Sequence, residues 1–418
     1  MTDAITLFIE EARAVTVVDA ALALGIEITN KNYAGPCPSC GGTDRFSINP
    51  SIPAFNCRQC GGKGRDGISL MALSGHHDVS TRVGFLSACS DALGRPIPEE
   101  GERESDEDRR ARLERIAQRK RINAENAAKA DKSQNDFRQR EVERARGIWL
   151  KASDIGTPSP LSDYLYFRTG FCMHEAVFAN LRLALNCTYW HGRDERGFEI
   201  AHYTGPAMIA PFVNLDGRIT GCHQTWIDLR NKPKYRANLG FGDDGSPLPA
   251  KKMRGTKRGS LIPLCGLMTA TRWVGGEGIE NGLAIAGAED FRADTFYFAA
   301  GDLGNLAGPA DPKSAFSHPY LAKEGKGGRI VRTRVQGPVP KPGQQPDEAM
   351  QIPDHVMELV LLADGDSEPV MTAAAMARAE ERFSREGRAT ETWWPPEGSD
   401  FSKLMTTHLG IGHLGIGE

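Results

Sequence analysis

Three carboxylates directly follow apolar segments that are predicted to be buried strands. The stretch VLLADGDSEP, residues 360–369, passes from four apolar residues into Asp364 and Asp366, and Glu277 follows the apolar segment at Trp273. Ligands of α/β sheets bind beyond the carboxyl ends of the strands. If both strands belong to one parallel sheet, the three side chains meet at one edge, where repulsion would raise their pKa values or require a cation. Mg²⁺ or Mn²⁺ held by carboxylates, waters and phosphates would satisfy such an edge, which predicts metal-dependent phosphate chemistry.

Each of these signals is weak on its own, because an Asp-Gly-Asp stretch is more often simply a turn. Their order along the chain is more informative: strand, Glu and helix, then a strand, then strand, Asp-x-Asp and helix. Asp400 lies in GSDFSKLM, at the start of the next helical stretch, and is a fourth candidate. An acidic turn without a cation is the alternative.

Four of the nine cysteines form two close pairs, Cys37 with Cys40 and Cys57 with Cys60, separated by sixteen residues. Each Cys-x-x-Cys can turn two thiolates onto one ion, and two of them complete the closed tetrahedral site of structural zinc. A Gly-Gly pair directly after each motif supplies the free backbone that such a turn needs. A thioredoxin-like redox motif is the alternative, but it uses one pair and leaves the second unexplained. The pattern predicts a structural Zn²⁺.

Basic and aromatic residues are interleaved around these cysteines. This arrangement suits single-stranded nucleic acid, whose bases stack on rings while cations follow the phosphates. Alternatively, Phe46 and Phe55 fill the small core of the metal-binding segment. The residues are Arg45, Phe46, Phe55, Arg58, Lys63 and Arg65.

A second basic group lies between residues 231 and 260, in a Gly-rich segment that the sequence predicts to be flexible. Next to a sheet with a metal site, such cations are expected to neutralise phosphates, although a solvated basic loop is the alternative. The residues are Lys234, Arg236, Lys251, Lys252, Arg254, Lys257 and Arg258.

The composition indicates several domains and no membrane span. The chain has 418 residues, 40% of them apolar, and a net charge of -3, so nucleic-acid binding would depend on local patches. No apolar run approaches the length of a span, and the N-terminus carries acids where a signal peptide would be basic. The scattered remaining cysteines suit a reducing compartment such as the cytoplasm.

The order of motifs from residue 268 to about 405 resembles the Toprim domain of bacterial-type primases, topoisomerases and some nucleases. That family has a Rossmann-like sheet with a strand-terminal Glu and a later Asp-x-Asp that bind divalent metal, and Glu277, Asp364 and Asp366 match those positions. The upstream segments VVDAALALGIEI and NYAGPCPSCGGTDRFSINPSIPAFNCRQCGGKGRDGISLMAL look like the zinc-binding domain of the same primases. PAMIAPFVNLDGRITG followed by PKYRANLG looks like the amino-terminal half of the primase core, which implies an active-site role for Lys234.

The resemblance implies an α+β multidomain chain with an N-terminal zinc ribbon and a mixed α/β primase core that contains a Rossmann-like Toprim sheet. We expect four parts: a zinc-ribbon nucleic-acid-binding domain over 1–97, a charged helical linker over 98–148, the N-terminal part of the catalytic core over 149–267, and the Toprim domain over 268–410. A loop-like insertion around 311–353 and the charged linker are not explained by the resemblance.

Three departures from the family pattern stand out. The zinc ligands are four Cys, whereas the family ribbon usually includes a His. Asn281 occupies the position, four residues after Glu277, where the family often has an Asp, which leaves the number of catalytic metals open. No Gly-x4-Gly-Lys-Ser/Thr motif is present, so a fused helicase is not expected.

The sequence therefore predicts a DNA primase of a phage, plasmid or mobile element, which joins nucleoside triphosphates into short RNA on single-stranded DNA and works with a separate helicase. Asp364 and Asp366 are the expected metal ligands, and Glu277 either completes the metal site or accepts the hydroxyl proton. Arg45, Phe46, Arg58, Lys63, Lys234, Arg236, Lys257 and Arg258 are the expected nucleic-acid or nucleotide contacts. A Toprim-type nuclease and a non-catalytic, replication-regulatory DNA-binding protein are the alternatives.

Overall fold

The computed structural model describes residues 4–28, 33–49, 53–99, 105–242, 245–324 and 330–409. The chain forms two compact units, residues 1–136 and 137–418, which are described separately here. The finer domain boundaries that the sequence predicts, near residues 97, 148 and 267, stay predictions.

The first unit contains a small antiparallel sheet and four short helices. The strands pair in the order β1-β2-β3-β4. Their bounds are β1 Tyr33–Cys37, β2 Gly41–Asn49, β3 Ala54–Cys57 and β4 Lys63–Gly64, and those of the helices are α1 Ala4–Arg13, α2 Val17–Ala23, α3 Gly67–Ser74 and α4 Arg82–Leu93.

Local capping explains where two of these helices begin. Thr16 and Asp19 form a capping box at the start of α2, and the Asp66 side chain accepts a hydrogen bond from the N–H of Ser69 at 2.7 Å at the start of α3. Both helices pack on the sheet through a core that includes Val17, Phe46 and Leu70.

The charged segment predicted as a helical linker lies almost entirely in one helix of 46 residues, α5 Asp106–Lys151. Residues 100–104, at the start of the predicted linker, lie outside the described residues. The many Ala, Glu, Lys and Arg residues of α5 have high helix propensity, which favours a helix of this length despite its low apolar content.

The second unit begins with an antiparallel sheet in the order β5-β6-β7-β8. The predicted hairpin is present, and Gly217 in its turn has φ of +74°, a conformation that favours glycine. The elements are α6 Pro160–Thr169, α7 Glu175–Asn180, β5 Arg182–Arg193, β6 Glu199–Val213, β7 Ile219–Trp226 and β8 Lys251–Gly255.

A five-stranded sheet follows, in the order β15-β14-β10-β11-β9, in which only β9 runs antiparallel to its neighbour. The strands are β9 Ile262–Cys265, β10 Arg272–Gly276, β11 Thr295–Ala299, β14 Glu358–Leu362 and β15 Ala389–Trp393. The helices are α8 Ile279–Ala288, α9 Leu303–Ala307, α10 Pro369–Phe383 and α11 Phe401–His408.

The central strands are buried on both faces, as their continuous apolar sequences predict. Val274, Tyr297 and Val360 contribute to the core on one face, which they share with residues of α6, α8 and β6. Trp273, Phe296, Phe298, Leu359 and Leu361 belong to the core on the other face, together with α10. Burial on both faces leaves only the strand ends free to carry polar groups.

Two expectations about loops are wrong. The insertion around 311–353 is not a loop, because it contains a short 3₁₀ turn at Pro312–Ser314 and an antiparallel hairpin of β12 Phe316–Glu324 and β13 Ile330–Val335. The basic segment is not wholly flexible, because Lys251–Gly255 forms β8 and pairs with β7. In both segments charged residues interrupt the apolar alternation that identifies strands, at exposed positions of β13 and at half-buried positions of β8.

The chain is a mixed α/β multidomain protein, with a Cys₄ cluster near its N-terminus and four sheets in the described residues. Among the described helices, none combines the length and the apolar content that a membrane crossing requires.

Candidate metal centres and active site

The four predicted cysteine ligands meet at one point. Their sulfurs all lie within 4.8 Å of one another, with Cys37 Sγ 3.9 Å from Cys60 Sγ and Cys40 Sγ 3.6 Å from Cys57 Sγ. A tetrahedral zinc with Zn–S bonds of about 2.3 Å separates its sulfurs by about 3.8 Å, whereas a disulfide would bring two sulfurs to about 2.05 Å. The four thiols therefore fit a structural zinc ion.

Four thiolates this close together would repel one another, and a bound cation would offset that repulsion. Burial together with neighbouring sulfurs raises the pKa of Cys40 to about 11. For Cys57, burial acts in the same direction, but hydrogen bonds from the N–H groups of Cys60 and Gln59 outweigh it and lower the pKa to about 6. A bound divalent cation would stabilise all four thiolates together.

The ribbon residues divide into core and surface. Phe46 is fully buried and Phe55 is 3% exposed, and both belong to the core of the first unit. The prediction that Phe46 stacks on bases is therefore wrong: the small sheet needs its ring for its own core. Lys63 and Arg58 are exposed, and Arg45 is half-buried. Arg58 donates to the Asp44 carbonyl at 2.8 Å, so it is partly held by the protein.

In the second unit, strand register brings the predicted carboxylates to one edge. β10 and β14 pair in parallel with Gly276 opposite Leu362, so Glu277 and Asp364 lie just beyond neighbouring strand ends. The oxygens of Asp364, Asp366 and Asp400 lie within 4.8 Å of one another, a separation that one divalent cation can bridge. Glu277 is outside this tight group but close enough for its charge to affect Asp364.

Gly365 explains how Asp400 reaches the other two aspartates. A Cβ at Gly365 would lie 2.7 Å from the Ser399 carbonyl oxygen and 2.9 Å from that of Pro396, so only glycine admits this close approach. The Gly398 N–H donates to the Gly365 carbonyl at 2.8 Å. Asp400 itself caps α11, accepting from the N–H of Lys403 at 2.6 Å. The Asp-Gly-Asp stretch is therefore a turn that also holds a third carboxylate beside it.

Glu277, Asp364, Asp366 and Asp400 together form what is called the acidic edge below. Their negative charges repel one another when no cation is bound. Burial, then the neighbouring Asp366, raise the pKa of Asp364 to about 7. Burial, followed by the charge of Asp302, raises the pKa of Glu277 above its usual value, while Lys251 and Lys257 oppose that shift. These are the shifts expected where several carboxylates share one site.

Asp302 is a carboxylate of this edge that the sequence reasoning missed. It follows β11, the third parallel strand, and the Gly301 N–H donates to the Glu277 carbonyl at 2.9 Å. Its side chain caps α9 and forms an ion pair with Lys257. The signal was present, because FYFAAGD is another apolar strand that ends on an acid. Lys257, predicted to contact nucleic acid, is thus held at the acidic edge by Asp302.

A buried ion cluster lies beside the acidic edge. Glu280, 5% exposed, accepts from Arg236 at 2.7 Å and from the Tyr164 hydroxyl at 2.7 Å, and Lys251 Nζ lies 3.3 Å from its carboxylate. Burial alone would raise the pKa of Glu280, but the cations Lys251 and Arg236 hold it well below its usual value. Arg236, predicted to bind nucleotide, is thereby engaged in an internal ion pair.

The remaining cations differ in how the protein holds them. Lys234 and Arg258 are exposed, and Lys234 makes no ion pair with any described residue. The buried Nε of Arg168, a residue that the sequence reasoning did not single out, has no hydrogen-bond partner in the described part of the chain. Arg168 lies near enough for its charge to act on Glu280. Of these three cations, Arg168 is therefore the one whose charge reaches the buried ion cluster beside the acidic edge.

Asn281 has a structural role at the position where the resembling family often has an Asp. Its Oδ1 accepts a hydrogen bond from the Ser402 N–H at 3.1 Å, at the start of the helix that Asp400 caps. The edge therefore has an amide, and not a further negative charge, at this position.

Comparison with known proteins gives limited likeness. A family model described as a domain of unknown function (DUF7146) matches residues 139–264. No curated protein matches the chain. Among solved structures, the DnaG primase catalytic domain bound to ssDNA is 12% identical, covering 65% of this chain and 78% of that chain, with a TM-score of 0.35.

Two further solved structures are similar at the same level. A DNA primase domain from Pseudomonas aeruginosa is 14% identical, covering 60% of this chain and 68% of that chain, with a TM-score of 0.32. The primase fragment of the bacteriophage T7 primase-helicase protein is 9% identical, covering 91% and 96%, with a TM-score of 0.27. TM-scores this low do not establish a common fold.

The Cys₄ cluster predicts a zinc content that depends on each ligand. Cys57→Ser is expected to lose bound zinc and to lower the melting temperature, because the metal stabilises the small sheet. Zinc per chain is measured by inductively coupled plasma mass spectrometry, with Cys172→Ser, an exposed cysteine outside the cluster, as the matched control. Full zinc occupancy in Cys57→Ser would contradict the assignment.

The crowded carboxylates predict that stability depends on pH and on divalent cations. Because the folded-state pKa of Asp364 is raised from 3.8 to about 7, the folded state binds more protons in this range and stability falls as pH rises through it. Mg²⁺ or Mn²⁺ is therefore expected to raise the melting temperature more at a pH of about 7.5 than at a pH of about 5. These two values lie on either side of the raised pKa of Asp364. Asp364→Asn is expected to raise stability of the metal-free protein at the higher pH and to remove most of the metal effect; an unchanged metal effect would exclude Asp364 as a ligand.

Proposed function

We propose that the chain is a DNA primase with a zinc-ribbon domain and a Toprim catalytic domain, acting in the replication of a phage, plasmid or mobile element. The observation that carries the proposal is the acidic edge, where Glu277 and the group of Asp364, Asp366 and Asp400 lie beyond neighbouring parallel strands. The motif order that resembles Toprim primases supports the same assignment.

The reaction joins two nucleoside triphosphates on single-stranded DNA. The 3′-hydroxyl oxygen of one nucleotide forms a bond to the α-phosphorus of the next, the bond to the pyrophosphate breaks, and the hydroxyl proton passes to a base. When bound, Mg²⁺ or Mn²⁺ would shield the triphosphate charge and lower the pKa of the attacking hydroxyl. Asp364, Asp366 and Asp400 would hold it, since their oxygens already converge.

We assign the role of general base to Glu277. Its carboxylate stands apart from the tight aspartate group, and burial raises its pKa towards the range in which a carboxylate accepts a proton effectively at neutral pH. Lys257, paired with Asp302, lies close enough to modulate that pKa.

The remaining parts of the proposal concern substrates and partners. Lys234, Arg168 and Arg258 are the cations available for triphosphate or template phosphates, because Arg236 is engaged by Glu280. The zinc ribbon would grip the template through Arg45, Arg58 and Lys63 and recognise a start sequence. A separate helicase would supply the single strand, and the protein would act in the cytoplasm of a bacterial host.

The first test supplies single-stranded templates, labelled ribonucleotides and Mg²⁺ or Mn²⁺. The wild type is expected to make short labelled RNA, and Asp364→Ala to lower the yield by at least about 100-fold, because an electrostatic contribution to the transition state is lost. Glu381→Ala removes an exposed carboxylate on α10 and is the matched control, expected to match the wild type.

The same assay separates the competing functions. Loss of template without RNA synthesis would replace the primase by a Toprim-type nuclease. DNA binding with neither reaction would replace it by a regulatory binding protein. Product from Asp364→Ala at the wild-type rate would refute the site.

A second variant distinguishes the roles of the carboxylates. Glu277→Gln is expected to lower kcat by about 100-fold or more and to remove the acidic limb of the pH–rate profile, because the amide accepts no proton. It is expected to keep the thermal stabilisation by Mn²⁺ that Asp364→Asn loses. Loss of that stabilisation in Glu277→Gln would instead make Glu277 a metal ligand.

A further inference from the structure

The β12–β13 hairpin is a feature that neither the resemblance nor the proposed reaction uses. It forms a two-stranded sheet of its own, and such ribbons are marginally stable unless something anchors them. Two arginines of α10 hold the chain segments that flank the hairpin. Arg378 donates to the carbonyls of Gly308 at 2.9 Å and Gly337 at 2.5 Å, and Arg382 donates to that of Leu306 at 2.9 Å. The segments on both sides of the hairpin, at Gly308 and Gly337, are therefore fixed to α10.

A buried histidine attaches the hairpin to the loop that carries the aspartates. His318, 1% exposed, accepts the N–H groups of Tyr320 at 3.1 Å and Leu321 at 2.7 Å on Nδ1. Nε2 therefore carries the proton and donates to Glu368 at 2.8 Å. Glu368 comes two residues after Asp366 and also caps α10 through the Met371 N–H at 2.7 Å. The hairpin is thus held beside the acidic edge.

The side chains beyond this anchor are unusually exposed for their type. Tyr320 is 87% exposed, Ile330 76%, Val331 45% and Leu321 44%. Large apolar side chains that are grouped and open to water often mark a binding surface. Folding does not account for these four residues, because none of them belongs to a core of the described chain.

The charge of the hairpin indicates the chemistry of its partner. On the described side chains of the hairpin, residues 316–322 and 330–335, Arg332 and Arg334 are the only Lys, Arg, Asp or Glu, although the whole chain has a net charge of -3. Arg334 is exposed and makes no ion pair with the described residues. Arg332 is fixed by its bond to the Pro319 carbonyl at 2.6 Å, which keeps its charge on the ribbon. A positive ribbon is complementary to a polyanion.

We propose that the hairpin is an arm that binds single-stranded DNA where the strand approaches the acidic edge. Exposed rings stack on unpaired bases and cations follow the phosphates, a combination that binds single strands without strong sequence preference. The inference rests on the proposed function only in taking that strand to be the template. It adds to the zinc ribbon a second DNA contact in the unit that carries the catalytic carboxylates.

The test measures binding of a fluorescently labelled oligothymidylate to the full-length protein by anisotropy, without nucleotides or divalent metal. Tyr320→Ala is expected to weaken binding about tenfold, as loss of one stacked base does. Arg334→Ala is expected to lower the slope of log affinity against log salt by about 0.7, the value for one single-strand phosphate contact. Phe198→Ala, an aromatic of 69% exposure on another hairpin, is the matched control and is expected to bind normally.

The outcomes separate this inference from the proposed function. If both Tyr320→Ala and Arg334→Ala keep the wild-type affinity and salt slope, the proposal that the hairpin binds DNA is wrong. The same result is expected if the exposed surface binds a protein partner instead. Thermal melts of both variants should match the wild type, since the two side chains are exposed. Asp364→Asn is expected to bind the oligonucleotide normally while making no RNA. If Asp364→Asn still makes RNA but Tyr320→Ala loses DNA, the catalytic site is wrong and the arm stands.

Discussion

Repulsion among carboxylates at the edge of one parallel sheet is the constraint around which the second unit is organised. Parallel pairing of three strands brings Glu277, Asp302 and Asp364 to the same side, and the packing against Gly365 adds Asp400. The protein neutralises part of this charge, because Lys257 pairs with Asp302 and the charges of Lys251 and Lys257 oppose the rise in the pKa of Glu277. Asp364, Asp366 and Asp400 form no ion pair with a described residue, and the partial burial of Asp364 and Asp400 makes that crowding costly. A divalent cation held by the three aspartates would relieve this repulsion.

Glu277 and Glu280 are three residues apart but lie in different electrostatic surroundings, so their pKa values shift in opposite directions. Glu280 is buried among Arg236, Lys251 and Tyr164, so its charge is fully used to join α8 to the antiparallel sheet. Breaking such a buried pair typically costs about 3–5 kcal/mol, because the partner charges are left without compensation. Glu277 lies near Asp302 and Asp366 instead, and burial together with their charges raises its pKa.

The sequence predicted those features that depend on local patterns. Apolar runs identified β10 and β14, and the cysteine spacing identified the Cys₄ cluster, because each signal lies within a few residues. The β12–β13 hairpin was missed since its exposed strands show no apolar alternation. Whether Phe46 contacts bases or fills a core, and whether Arg236 meets a phosphate or Glu280, depends on contacts between distant segments. Asp302 differs from these cases, because the stretch FYFAAGD carries the same local pattern of an apolar strand that ends on an acid.

Glu368 is shared by two structural tasks, receiving His318 on one oxygen and opening α10 with the other. Replacing it would therefore disturb a helix and a ribbon at once, whereas the large apolar side chains beyond His318, those of Tyr320, Leu321, Ile330 and Val331, are exposed. The length and the side chains of the outer part of the hairpin can therefore change while the contact between His318 and Glu368 is kept. The same division makes the outer part a suitable place to insert a new recognition sequence while the rest of the protein keeps its structure.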